Sequence, residues 1–424
     1  MSTLKVNKIR DTSGSADAIT LDPSGGAVLA GVTTMTTARI TTGITTSIQV
    51  GGGVTISESG IEASGIGITC ANINGTKIGG RRNLVINGAF LVAQRGTSST
   101  EVGYKTVDRF NPYSSGTDEA PTQAQVDVSS GTDPYNEGFR KALKITNGNQ
   151  TSGAQAASRV LPQYKFEAQD LANSGWNYTD PNSFITISFW VKSSIAQTYY
   201  GYVRTQDGTG RIYTYSVSLS ADTWTKVVKT IPGNSGITIN NDNGEGIQWN
   251  VLIPFAGTNY TDSGVSLNTW RTYVSGTRTP DYTTTWYTTN DATFELTGLQ
   301  AEVGSQATPF EHRSFAEERL LCQRYYIKYV QQGCSGYIES NAGTTAQLTH
   351  TIPVPMRANP STVCTTAASI GVERGGLYGI NSTSGALGWM YENDLSIGWA
   401  MDTAKTRWHT TWCRVQNLEL DAEL

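Results

Sequence analysis

Across its first 82 residues the chain has not one Phe, Tyr or Trp; all ten Phe, twenty Tyr and ten Trp lie from Phe90 onward. A step that sharp marks a domain boundary. It excludes a conventional monomeric core from the leading segment, because Gly, Thr and short aliphatics bury too little area to offset the entropy of ordering the chain. Charge is scarce too: Asp, Glu, Lys and Arg make up 16% of the 424 residues, against about 25% in an average globular protein. That shortage argues against long salt-bridged helices. The formal net charge of -4 supplies no chain-wide electrostatic footprint for nucleic acid or anionic lipid. No apolar run approaches the roughly 18 residues of a membrane span, and no signal-peptide core is present, so the expectation is a chain made and folded in a cytoplasm with no membrane insertion. The five cysteines, Cys70, Cys322, Cys334, Cys364 and Cys413, are odd in number and lack C-x-x-C spacing. They read as reduced thiols packed as small hydrophobes rather than zinc or redox ligands.

What is abundant is Gly, Thr and Ser interleaved with β-branched residues, the composition of strands and turns. Before residue 82 the Ile and Val residues fall in short pieces such as Ser47-Ile48-Gln49-Val50, Val54-Thr55-Ile56, Gly60-Ile61 and Gly65-Ile66-Gly67-Ile68-Thr69. A shared core solves the shortage of apolar area: residues 1–40 read as an attachment segment and 41–82 as a Gly/Thr-rich trimeric β shaft in which several copies contribute to one axis. The competing reading is a flexible Gly/Thr-rich leader.

Residues 83–312 run strand after strand. Ile185, Ile187, Phe189 and Val191 line one face of a period-two segment. Further strands are expected over Tyr199–Arg204, Arg211–Ser218, Trp224–Thr230 and Gly246–Phe255, with hairpin turns at Asp207-Gly208 and Asn243-Gly244. Eight or so strands at this spacing predict an antiparallel two-sheet sandwich of jelly-roll type. Near its end, alternation puts Phe294, Leu296 and Gly298 on one face and Glu295, Thr297 and Leu299 on the other. Ser314 followed by Glu317 is a capping box that starts a helix at Phe315 within a connector of residues 313–324. Residues 325–424 then read as a smaller C-terminal β-sandwich tip, with no helix-forming run. The fold class is therefore all-β.

Chemistry is sparse. Glycoside hydrolysis needs two carboxylates about 5–9.5 Å apart in a cleft, whereas Asp242, Glu245, Asp262, Asp281 and Asp291 sit in turn-like sequence. No G-x-S-x-G elbow or phosphate loop occurs, and His312, His350 and His409 are isolated. The expectation is no enzyme, no catalytic residue, no cofactor and no metal; Asn241-Asp242-Asn243-Gly244-Glu245 is oxygen-rich but lacks calcium-loop spacing. Binding is better supported, since sugars offer flat C–H faces to aromatic rings and hydroxyls to polar neighbours. The long segment 257–292 carries Trp270, Arg271, Tyr273, Tyr282, Trp286 and Tyr287, and Trp408 and Trp412 share one strand face near the end of the chain. These eight are the candidate glycan-binding residues. The competing reading is that the tryptophans plug the sandwich or a subunit contact.

Several motifs carry a resemblance. Asn83-Leu84-Val85-Ile86-Asn87-Gly88-Ala89-Phe90, Gln94-Arg95-Gly96, Asp108-Arg109-Phe110, Gln300-Ala301-Glu302-Val303-Gly304, Ala307-Thr308-Pro309-Phe310-Glu311 and Glu317-Glu318-Arg319-Leu320-Leu321-Cys322-Gln323-Arg324-Tyr325-Tyr326 together resemble phage tail fibre proteins that carry a jelly-roll module. Pro353-Val354-Pro355-Met356-Arg357-Ala358-Asn359-Pro360 is similar to the start of the C-terminal fibre domain in that family, and Met1–Gly14 resembles the opening of virion proteins of marine and cyanobacterial phages. Ala89 departs from the Asp usual before Phe90, and Ala301 from the usual Leu. The resemblance implies a carbohydrate-binding-module-like sandwich in a homotrimeric virion adhesin. Its partners would be a phage tail or baseplate protein, through the N-terminal segment, and a host surface polysaccharide such as lipopolysaccharide, with no nucleic acid. The alternatives are a purely structural fibre or collar component and a glycan-degrading tailspike.

Overall fold

The structure is a computed structural model; it describes residues 81–338, 345–372, 376–379, 386–391, 394–400 and 410–424 and, before them, the segments 8–10, 17–21, 27–29, 47–50, 54–57 and 60–63. The chain divides into two compact units, Met1–Cys70 and Ala71–Leu424.

In the first unit β1 (Lys8–Arg10), β2 (Asp17–Leu21) and β3 (Ala27–Leu29) form one antiparallel sheet, and β4 (Ser47–Val50), β5 (Val54–Ser57) and β6 (Gly60–Ala63) form another. Three of the Ile/Val pieces thus become a meander within one chain, with Ile48, Ile56 and Ile61 in one row of the register. Most of the expected attachment segment and shaft, including 64–80, lies outside the described residues.

The second unit begins with an all-β sandwich. One sheet holds β7 (Ser98–Ser99), β9 (Thr122–Asp127), β10 (Lys141–Thr146), β12 (Phe184–Ser193), β15 (Thr225–Pro232) and β19 (Thr293–Val303), in the order β15-β12-β19-β10-β9-β7. The other holds β11 (Arg159–Glu167), β13 (Gln197–Thr205), β14 (Arg211–Leu219), β16 (Glu245–Ile253), β17 (Phe255–Ala256) and β18 (Trp270–Thr272), in the order β17-β11-β16-β13-β14-β18, with β8 (Phe110–Ser115) also paired to β11. Short helices α1 (Asp133–Asn136), α2 (Ala168–Ala172) and α3 (Thr285–Thr288) interrupt the strands. Between the sheets Ile185, Ile187, Phe189 and Val191 pack, as their alternation predicts, against Phe166, Tyr199, Trp249 and Phe294. Trp249 stacks on Phe166 and meets Phe189 edge-on at 5.8 Å.

One expectation fails here for a local reason. Ser188 faces Gln300 and Trp190 faces Thr297, so Gly298 and Leu299 together oppose Phe189. This is a β-bulge made by Gly298 at φ 65, where a Cβ would also stand 2.6 Å from the Phe139 ring. The extra residue reverses the alternation, so Leu299 and Ala301 join Phe294 and Leu296 in the core instead of facing away. Gln300 and Glu302 are correspondingly turned to the other face of the sheet.

The helix α4 (Phe315–Gln323) starts where the capping box places it, with Ser314 accepting from the Glu317 N–H and Glu317 accepting from the Ser314 N–H. Beyond it β20 (Tyr326–Ile338), β21 (Thr345–Thr351), β22 (Ser361–Val372), β23 (Gly376–Gly379), β24 (Ala386–Tyr391), β25 (Asp394–Ala400) and β26 (Thr410–Asp421) form a seven-stranded antiparallel sheet.

Candidate functional site

The motif residues converge first on a seam between the sandwich and the C-terminal sheet. Asn83 accepts from Val85 and Ala301 and donates to Leu299 O. Asn87, at φ 61, closes its own loop through Val92 and Asp108 O and gives its N–H to Glu318. Gln300 and Glu302, turned to this side by the bulge and buried there, hold Thr308 and Glu311. Arg109, 1% exposed, pairs with Glu423 and lies 3.4 Å over the Tyr325 ring. Arg95 lies 3.5 Å over Tyr326 and pairs with Asp421 at 2.9 Å and Glu423 at 3.4 Å. Glu167 takes Arg324 at 2.6 Å and the Tyr325 hydroxyl at 2.6 Å, which holds its carboxyl below the usual range despite burial. The motifs are therefore a buried, paired framework; burying charge is tolerable only with such partners. Asp108, fully buried, has its carboxyl pushed up to about 6 by burial, against hydrogen bonds from Gln94.

The candidate glycan-binding residues do not form one site. Trp286 and Tyr287, on α3, are 0% and 1% exposed. Trp286 donates to Thr293 O, and Tyr287 stacks on Phe255 at 4.5 Å. As core residues they have no surface for a ligand, which corrects the expectation for this pair: the two large rings are buried in the core between the sheets. Trp270 is half-buried, packed on Tyr213 with its indole N–H on Pro232 O at 2.6 Å, and so seals the sandwich edge. Tyr282 is half-buried against Tyr200 and Phe255 and donates to Tyr200 O. Trp408 lies outside the described residues; Trp412 falls within β26, opposite Ser335.

Arg271 and Tyr273 belong instead to a surface on the outer face of the second sheet. There Leu161, Tyr202, Ile212, Ile253 and Ala256 form a small apolar floor, and the 257–283 loop lies across it. The loop is braced by a Thr261–Thr279 bridge, Arg278 N–H on Tyr260 O and Thr261 on Asp281. Arg271 ties it to the sheet through Thr214 and Arg278 O. On this support arginines and tyrosines alternate in one line. Arg159 lies 4.7 Å from the Tyr113 ring and 4.4 Å from Tyr260, Arg278 4.8 Å from Tyr260 and 5.7 Å from Tyr273, and Arg204 3.6 Å from Tyr273. All six are half-buried. Ring stacking fixes the guanidinium planes; Arg159 and Arg278 also donate to Ser115, Tyr113 and Ser275, while the Arg204 guanidinium donates to no protein group among the described residues. Beneath the face Asn250 is fully buried with neither amide atom hydrogen-bonded.

Sequence reasoning reached Arg271 and Tyr273 and missed Tyr113, Arg159 and Arg204. The usable signal was period-two placement: Tyr200, Tyr202 and Arg204 share one face of β13. The oxygen-rich loop at 241–245 is a structural turn: Asn243 and Arg357 exchange hydrogen bonds, and Glu245 pairs with Lys165 at 3.3 Å. Among the described residues no three His, Cys, Asp or Glu side chains are grouped to hold a metal, and no helix is long and apolar enough to cross a membrane.

No family model and no curated protein matches the chain. Among solved structures it is similar to the enzymatically active domain of tailspike protein 4 of bacteriophage CBA120, at 8% identity and TM-score 0.27 over 52% of this chain and 21% of that one. It is also similar to an MgGH51 α-L-arabinofuranosidase, at 11% and 0.29 over 55% and 27%, and to a Bacteroides thetaiotaomicron protein provisionally described as sugar-binding, at 10% and 0.28 over 53% and 100%. The chain thus spans about a fifth of the tailspike's length and about a quarter of the arabinofuranosidase's. TM-scores this low carry no statement about activity or ligand.

Proposed function

We propose that this chain is a phage tail-fibre adhesin that attaches a virion to a host cell-surface glycan, lipopolysaccharide being the first candidate, by binding without hydrolysis. The observation that carries the binding reading is the line of Tyr113, Arg159, Tyr260, Arg278, Tyr273 and Arg204, pre-organised on a braced loop over an outer sheet face. The line retains donors beyond those packing uses, since the Arg204 guanidinium donates no hydrogen bond to protein among the described residues. The fibre context is supported by the resemblance of the motifs, which are the residues that join sandwich, helix and C-terminal sheet. In this reading the protein works as a homotrimer. It is held to a tail or baseplate protein by residues 1–40 and resides in the virion after synthesis in the host cytoplasm. Weak sites multiplied by valency would give the avidity.

Labelled full-length protein is expected to bind host cells, and Tyr273→Ala with Arg204→Gln to remove most of that binding while leaving the melting temperature near wild type. Binding that persists undiminished in the double variant refutes this site. Light scattering at micromolar concentration gives three times the chain mass if the trimer is right. The burial of Trp286 and Tyr287 favours a purely structural fibre component as the second reading; absence of any cell binding would select it. Release of new reducing ends from host polysaccharide would overturn the non-enzymatic assignment.

A further inference from the structure

We infer that the ligand of the outer face is an anionic glycan, its carboxylate or phosphate oxygens taken by the arginines of the line while sugar C–H faces lie on the tyrosines. The inference rests on the glycan-binding reading above.

Two sets of arginines in this protein contrast in their partners. At the seam four have carboxylates: Arg95 has Asp421 and Glu423, Arg109 has Glu423, Arg313 has Glu311 and Glu318, and Arg324 has Glu167, while Arg357 is held by the carbonyls of Ala422, Glu423 and Asn243. On the outer face Arg159, Arg204, Arg271 and Arg278 have none within 4.0 Å among the described residues. Four uncompensated cations on one half-buried face repel one another and lose solvation, and burial holds the Arg271 guanidinium below its usual range.

Their hydrogen-bonding capacity points the same way. Arg159 gives Nε to Ser115 and Nη2 to Tyr113, and Arg278 gives Nε and Nη2 to Ser275. The Arg204 guanidinium makes no hydrogen bond to protein among the described residues, and its buried Nε has no partner. Guanidinium groups donate and never accept. A guanidinium serves only the accepting side of a sugar hydroxyl, whereas a carboxylate or phosphate uses donors alone and takes two parallel ones from a single guanidinium. The chain-wide charge of -4 does not oppose this, because at physiological salt fields are screened within about 8 Å and the local cluster decides.

The test uses the full chain in calorimetric titrations with oligogalacturonate for the carboxylate, a phosphorylated mannan for the phosphate, neutral dextran of similar length, and poly-glutamate. At least one anionic glycan is expected to bind about tenfold or more tightly than dextran, and to weaken about tenfold as salt rises from about 50 to about 300 mM. Arg204→Gln is expected to lose about tenfold, and Arg204→Lys, which keeps the charge without the fork, to recover only part. Arg159→Gln provides a second, independent loss. Dextran binding as tightly as the charged glycans, without salt dependence, overturns the charge assignment and leaves the glycan reading standing. Poly-glutamate binding as tightly as the sugars overturns the glycan part. Host-cell binding unaffected by Arg204→Gln, with none of the four probes bound, overturns this inference; absence of cell binding as well overturns the adhesin reading with it.

Discussion

Glu423→Gln tests whether the motif residues are framework. Its carboxylate faces Arg109 and Arg95, whose side chains are 1% and 7% exposed. Removing one partner of a buried pair costs about 3–5 kcal/mol, because the other charge stays buried without compensation. Arg95 retains Asp421 at 2.9 Å, and Arg109 retains Lys165 O at 2.8 Å and the Tyr325 ring, so the loss falls mainly on Arg109 and belongs near the lower end, about 3 kcal/mol. For a unit of this size that corresponds to a melting-temperature drop of roughly 5 °C or more. Urea unfolding followed by tryptophan fluorescence measures it, and Arg109→Met combined with Glu423→Leu should recover part of the loss, since an apolar pair avoids the desolvation penalty. A single variant within about 0.5 kcal/mol of wild type would refute the seam argument, placing Glu423 among ordinary surface residues.

Two further perturbations probe the same framework. The Asp108 carboxyl is raised to about 6 in the folded chain by burial. The folded state therefore binds more protons between about pH 4 and 6, and this group's contribution to stability is present below that window and lost as pH rises through it. Measured by urea unfolding, the stability of wild type relative to Asp108→Asn should accordingly fall from pH 4 to pH 7, by on the order of 2–3 kcal/mol; a difference that stays flat removes the assignment. Gly298→Ala meets both a left-handed φ and the Phe139 ring. It should cost roughly 2–4 kcal/mol in the same assay, and a neutral result would mean the bulge relaxes freely.

Local pattern was legible without coordinates. The capping box of Ser314 and Glu317 specifies the start of α4, because both its bonds lie within four residues. The inward face of β12 follows from its period of two. The motifs were also visible, though their role as a paired seam was not. Three outcomes depended on the tertiary structure alone. One extra residue at Gly298 reversed the face of every later position in β19, because strand alternation carries no memory across a bulge. Trp286 and Tyr287 went into the core while Arg271 and Tyr273 stayed near the surface, although all four come from the same aromatic-bearing segment. The arginine–tyrosine line was assembled from β8, β11, β13 and the 257–283 loop, so its members are neighbours across strands rather than along the chain. Sequence spacing reports which residues share a face of one element; which elements lie side by side is decided by the sheet order, and that is set by burial of the whole sandwich.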